Sequence, residues 1–339
     1  MPRSTVYNRT VKFAILLAAL LPPLASAADP TLYALMSVTK EYVVGAKLPP
    51  SGLFRRDPTG WSHAAYNHPF LFGLDSDPAD PSTLYLAAGN GLFRAAKNGE
   101  NWTLLTGSDV TELRDVSIDQ TTGAIYYGYS HGIRVSTDRG KTWREIGTTL
   151  HRKFTESIRV DRTKSGTLLA GGEEGVFRST DNGATWKLAG AAGIQITHLA
   201  QSSHDACRWF ATTYLAGLYT SSDCGKTFES VGPIGVGRNL YDIAFDPASP
   251  TRVAIAGWGP GIQISDDGGK TWQPRNLGLP TTEITAVIFD PAHPGRVYAG
   301  VHQEALYVSD DLGKTWRKDG LDGSSITRLK FVPEGPITR

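Results

Sequence analysis

An eight-residue pattern, Ser-x-Asp-x-Gly-x-Thr-Trp, recurs down this chain and constrains its fold more than any bulk property does. It runs from Ser136 to Trp143, Ser179 to Trp186, Ser265 to Trp272 and Ser309 to Trp316. Ser221 to Phe228 is the same box closed by Phe. A worn copy ends at Trp102 and keeps only Gly99 and the aromatic, and a weaker one, Arg56-Asp57-Pro58-Thr59-Gly60-Trp61, has lost two residues. The closing aromatics at 61, 102, 143, 186, 228, 272 and 316 are 41 to 44 residues apart. That period suits a four-stranded propeller blade. Seven such units nearly exhaust the chain.

The strand grammar within a unit repeats. Ile284 to Phe289 is a β-branched and aromatic run closed by Asp290-Pro291, Arg296 to Gly300 is a second strand, and Leu306 to Val308 a third. The box then turns the chain into a fourth strand beginning at Trp316. No stretch holds a helical period. Ile326 to Phe331 reads as a first strand with no blade after it, and Thr31 to Ala34 as a second strand with no first before it. Each end supplies what the other lacks. The expected fold is therefore all-β: a seven-bladed β-propeller of four-stranded antiparallel blades, closed by pairing of the C-terminal strand into the N-terminal blade. Such closure removes the free edges of an open ring.

The box has the chemistry of a hairpin turn. An Asp carboxylate accepts backbone N–H groups two residues on. Gly140, Gly183, Gly225, Gly269 and Gly313 supply a positive φ, and the aromatic packs back on the blade. Asp138, Asp181, Asp223, Asp267 and Asp311 are thus read as turn formers. A calcium loop needs more oxygen ligands and a closing Glu. The octapeptide resembles the Asp box, or bacterial neuraminidase repeat, of sialidases, sortilin-type receptors, xyloglucan-specific glycosidases and photosystem II assembly-factor propellers. The resemblance implies that the boxes join third to fourth strands, away from a binding face. It implies no single activity.

Residues 1–27 read as an export signal: Arg3, Arg9 and Lys12, an apolar stretch from Phe13 to Leu24, then Ala25-Ser26-Ala27 as a cleavage site. The expected mature chain, 28–339, is one propeller in the periplasm or outside the cell. Losing three basic and no acidic residues takes the formal charge from +1 to slightly negative. Without a basic block there is no footprint for nucleic acid or anionic lipid, and no stable membrane insertion is expected. The two cysteines, Cys207 and Cys224, fall opposite each other if Thr213 pairs with Leu218, which favours a structural disulfide over free thiols or a redox pair. His63, His68, His151, His204 and His293 are scattered without metal-ligand spacing, so neither metal nor cofactor is expected.

Candidate site residues come from three places. Loops between second and third strands offer Tyr129, His131, Glu173, Glu174, Tyr214, Trp258, His302 and Glu304. The corresponding loop of the first blade, residues 36–51 with Tyr42, is longer than the others, as functional loops often are. First-strand positions four before the closing Asp place Gly73, Asp115, Ser157, His198, Asp242, Ala286 and Arg328 toward the central channel. The expected function is non-catalytic binding or assembly, by a module expected to be monomeric, with a protein or glycan of the envelope or exterior. The alternative is a glycoside hydrolase. Phe54-Arg55-Arg56-Asp57 lacks the Ile-Pro of the sialidase opening, no arginine triad assembles, and xyloglucan-specific enzymes set their acids between two propellers where one fits here. N-terminal sequencing of the exported protein is expected to begin at Ala28; a start at Met1 would refute the export signal.

Overall fold

Both faces of a propeller blade are covered by neighbouring blades, so its inner strands carry apolar residues at consecutive positions rather than alternate ones. A computed structural model describes residues 1, 29–38, 50–96, 99–147, 150 and 153–333. Among them lie seven four-stranded antiparallel units. Blade 1 is Ser324–Val332, Thr31–Val38, Gly52–Asp57 and Gly60–Asn67, in that spatial order. The innermost strands of blades 2 to 7 are Leu71–Ser76, Asp115–Ile118, Thr155–Val160, Ile196–Gln201, Val236–Phe245 and Ile284–Phe289.

Closure is made by the two ends of the chain. Ser324–Val332 pairs antiparallel with Thr31–Val38, from Thr31 opposite Val332 to Val38 opposite Ser324. The seven innermost strands contact one another in an unbroken cycle, blade 7 touching blade 1 and blade 1 touching blade 2. At the outer rim the Trp61 indole N–H donates to the Asp319 carbonyl at 3.1 Å, and Arg56 pairs with the Asp319 carboxylate at 3.0 Å.

Seven apolar clusters fill the seven junctions. Strand alternation sends neighbours to opposite sides: Tyr126 packs toward blade 4 with Ile158 and Leu168, while Tyr127 packs toward blade 2 with Tyr85 and Leu92. The junction of blades 7 and 1 is closed by Leu306 and Val308 against Leu32, Ala34 and Ile326. One junction departs from the pattern. The long second strand of blade 5, Trp209–Ala216, also pairs with Val236–Phe245 of blade 6, joining two blades into one eight-stranded sheet.

The boxes form the turns expected of them. Ser136 Oγ donates to Asp138 Oδ1 at 2.7 Å and accepts the Gly140 N–H at 2.8 Å. The Thr142 hydroxyl and N–H both donate to the Asp138 carboxylate, at 2.6 and 2.9 Å. The same bonds recur at Asp181, Asp223, Asp267 and Asp311. Hydrogen bonds from the Thr hydroxyl, the Thr N–H and the Ser hydroxyl pull the Asp138 and Asp181 carboxyls down to about 2. The positive φ is not confined to glycine: Arg139, Asn182, Cys224 and Leu312, each just ahead of the box glycine, have φ between 57° and 63°.

Cys207 and Cys224 form a disulfide, by a register one residue from the expected one. Thr212, not Thr213, pairs with Leu218, because Thr213 turns its hydroxyl to the Gly217 carbonyl at 2.6 Å. The bridge sits past the ladder's end, where the Cys224 N–H donates to the Cys207 carbonyl at 3.1 Å. The long loop of blade 1 starts later than expected, since Met36 still pairs with Gly52. Residues 39–49, with Tyr42, lie outside the described residues, as do His151 and residues 2–28.

A chain ending at Gly323 lacks the innermost strand of blade 1 and should lose its cooperative urea transition. Thr327→Val, which deletes one hydrogen bond to blade 2, should lower stability by only about 1 kcal/mol. Cooperative unfolding of the truncated chain would show that the ring does not depend on this closure.

Candidate functional site

The innermost strands carry an irregularity at one repeated position. Pairing with the second strand skips one residue in six blades: Phe72, Glu156, Thr197, Tyr241, Thr285 and Thr327. In blade 3 the equivalent residue is Arg114, whose N–H bonds to the Gly128 carbonyl just ahead of the Asp115–Gly128 pair. A β-bulge of this kind re-aims the extra side chain. All seven line one cavity of about 470 Å³ at the mouth of the central channel, together with Gln195, Tyr214, Trp258, His302, Ser325, Ile326 and Arg328. It opens at the start of the innermost strands. The boxes, which follow third strands running parallel to the first, are at the opposite end.

Two sides of this funnel differ in chemistry. On blades 5 to 7 the Trp258 ring sits edge-on to Tyr241 with centroids 5.6 Å apart, and tilted against His302 at 5.0 Å. His302 Nδ1 is 3.0 Å from Ser325 Oγ, the Tyr241 hydroxyl accepts from Asn239 at 3.2 Å, and the Trp258 indole N–H is buried without an acceptor. Tyr214, 46% exposed, stands at the rim. On blades 2 to 4 the Arg114 guanidinium lies over the Phe72 ring at 4.5 Å and the Phe154 ring at 5.2 Å, 3.9 Å from Glu156. Burial pushes the Glu156 carboxyl up; Arg114 opposes this, while Asp115 and Glu173 add like charge.

A polar plug closes the channel below. His198 Nε2 is 2.6 Å from Arg159 Nη2 and 2.9 Å from Arg328 Nη1. Two guanidinium donors on one ring nitrogen require it to be the lone-pair nitrogen, so the proton is on Nδ1. Nδ1 faces Asp242 Oδ1 at 2.8 Å, off line for a good hydrogen bond. Burial, then the positive charges of Arg328 and Arg159, push the imidazole down to about 4 against the pull of Asp242. Arg328 also meets Asp242 at 3.3 Å, and Arg159 is paired with Asp115.

The expected site residues divide accordingly. Tyr214, Trp258, His302 and Arg328 meet in the funnel, and His198 and Asp242 lie in the plug beneath it. The other loop candidates lie elsewhere. Tyr129 is 4% exposed because its strand runs on to it, and it packs in the core of blade 3. His131 stacks on Tyr129 and bonds Ser130, while Glu173 and Glu174 border a small crevice where Glu174 holds Lys153. Glu304 contributes its carbonyl to Gly323 at 2.7 Å. Gly73 is not a ligand position: a Cβ there would come within 2.8 Å of the Asp115 Cα. The bulge residues escaped the sequence reading by one step, each immediately preceding the channel position singled out there.

Residues 177–188, 263–274 and 307–318 match the BNR/Asp-box repeat. No curated protein matches the chain by sequence. Among solved structures, the GH74 xyloglucanase from Xanthomonas campestris superposes with a TM-score of 0.60 at 20% identity, over 74% of this chain. The chain spans only 45% of that enzyme's length. YCF48 from Cyanidioschyzon merolae superposes with a TM-score of 0.59 at 18% identity, over 78% of this chain and 90% of its own. YCF48 bound to D1 peptide gives 0.59 at 16% identity, over 78% and 93%. The chain has a β-propeller fold and carries BNR/Asp-box repeats; identities this low carry the fold alone.

His198 sets a pH dependence. Its imidazole refuses the proton that the unfolded chain takes up below pH 6.5, so its contribution is full above that pH and declines as pH falls toward about 4. The box aspartates act lower, below 3.8. Urea unfolding from pH 7 to 4 should lose up to about 3 kcal/mol from this group, and His198→Gln should flatten that slope. An unchanged slope would refute the assignment.

Proposed function

We propose that this chain is an exported, non-catalytic binding module that takes an extended peptide segment of an envelope or extracellular protein in the funnel opposite its Asp boxes. The observation that carries the reading is the ring of seven bulge residues around one cavity, with an aromatic side on blades 5 to 7 and a cationic edge at Arg114. Aromatic rings supply contact area with few rotamers to freeze, and buried polar groups such as the Trp258 and Arg114 N–H donors give orientation. A fold neighbour, YCF48, is known bound to D1 peptide. The disulfide supports an oxidising compartment, in line with the export signal read in residues 1–27.

One observation favours a second reading, glycoside hydrolysis: burial inside the funnel pushes the Glu156 carboxyl up, the direction a general acid requires. The two-carboxylate mechanism needs a partner across about 5 to 10 Å. Among the described residues lining the funnel Glu156 is the sole carboxylate, which weighs toward binding.

Selection from a displayed dodecapeptide library should yield ligands whose affinity falls about tenfold or more with Trp258→Ala or Arg114→Ala, both variants keeping their unfolding transition. Ligands indifferent to both would place recognition elsewhere. Turnover of fluorogenic glycosides that is lost in Glu156→Gln would replace the binding reading with the hydrolytic one.

A further inference from the structure

The channel has a second cavity beneath the plug, of about 390 Å³, on the Asp-box side of the ring. We propose that it is a binding site for a compact oxyanion, a carboxylate or a phosphate. Its lining carries four cations, Arg159, Arg162, Arg328 and Lys330, against one carboxylate, Asp242.

The remaining carboxylates that meet these cations are set into the wall and already engaged with the backbone. Asp115 pairs with Arg159 and also accepts the Ile158 N–H at 3.1 Å, and Asp75 pairs with Lys330 and accepts the Ile118 N–H at 2.8 Å. Arg162 donates Nε–H to the Ser202 carbonyl at 2.9 Å, with no carboxylate at ion-pair distance among the described residues. Arg328 divides Nη1 between His198 and Asp242, and its Nε–H is buried without an acceptor. His198, neutral at physiological pH, fixes one edge of both the Arg159 and Arg328 forks without cancelling either charge.

Planar guanidinium forks suit the paired oxygens of carboxylate and phosphate. A cleft lined mainly by one sign of charge between apolar walls, here Leu74, Val116 and Ile243, focuses the field on an incoming counter-ion. The cations come from the innermost strands of blades 4 and 1 and the loop after the former. No single blade makes the site. Arg328 lines the upper funnel as well, so an anion below would touch a side chain that floors the peptide site above.

Isothermal titration of the intact chain at low salt, with inorganic phosphate and separately with succinate, tests this without any funnel ligand. Saturable binding of either is expected, weakened about tenfold by Arg162→Ala and unchanged by Arg144→Ala, which removes a surface cation away from the channel. Arg162 is exposed and its substitution leaves the buried pairs intact. Whichever probe binds more tightly identifies the oxyanion class. No saturable binding of either up to about 10 mM, or binding that Arg162→Ala leaves unchanged, overturns the site.

Discussion

The structure depends on hydrogen bonds that tie each innermost strand to the next, because apolar packing between blades fixes distance but not register. Every junction has at least one such tie. Asp75 accepts from Ile118, Asp115 from Ile158, the Ser157 hydroxyl from Leu199, and Asp242 from Val287, at 2.8 to 3.2 Å. Where no acceptor is available the polarity reverses: the hydroxyls of Thr197, Thr285 and Thr327 donate to the carbonyls of Leu240, Ile326 and Leu71, at 2.5 to 2.6 Å. The bulge makes this possible. By breaking the ladder at one residue it releases backbone groups that the adjacent blade's side chains then satisfy, as buried polar groups require.

This arrangement separates shape from chemistry. The aspartates that recur most visibly, those of the boxes, are fully engaged by their own Ser and Thr and hold hairpins at the far end of the molecule. The residues that do not repeat are the informative ones. At the bulge position the ring reads Phe, Arg, Glu, Thr, Tyr, Thr, Thr from blade 2 round to blade 1, and the three threonines serve the ring itself. Phe72, Arg114, Glu156 and Tyr241 are left to give the funnel its character. The fusion of blades 5 and 6 strengthens this side, since the pair Tyr214–Asn239 holds Tyr214 beside Tyr241.

The plug follows from the same geometry. Seven strands cannot meet at a point, so their inward side chains must fill a channel or leave it wet. Here Arg159, His198, Asp242 and Arg328 fill it: His198 and Asp242 are buried, Arg328 pairs with Asp242, and Arg159 bonds His198 while Asp115 in the wall compensates its charge. Removing one partner would leave a desolvated charge, which is costlier than the pair is worth. The plug thereby divides the channel into two cavities of different chemistry, one aromatic and one cationic, joined through Arg328.

The sequence by itself determined the blade count, the strand order within a blade, the turns and the closure by the two chain ends. These are local periodicities, and the apolar pattern, the box and the 41-to-44-residue spacing report them directly. It also pointed to Trp258, His302, Tyr214 and Arg328. Only the tertiary structure decided that Tyr129 belongs to a core rather than a loop, that Thr212 and not Thr213 faces Leu218, and that the bulge residues look into one cavity. The reason is physical. A one-residue bulge changes which way a side chain points without changing the composition of its strand, and a site assembled from seven strands some forty residues apart exists only once the ring has closed.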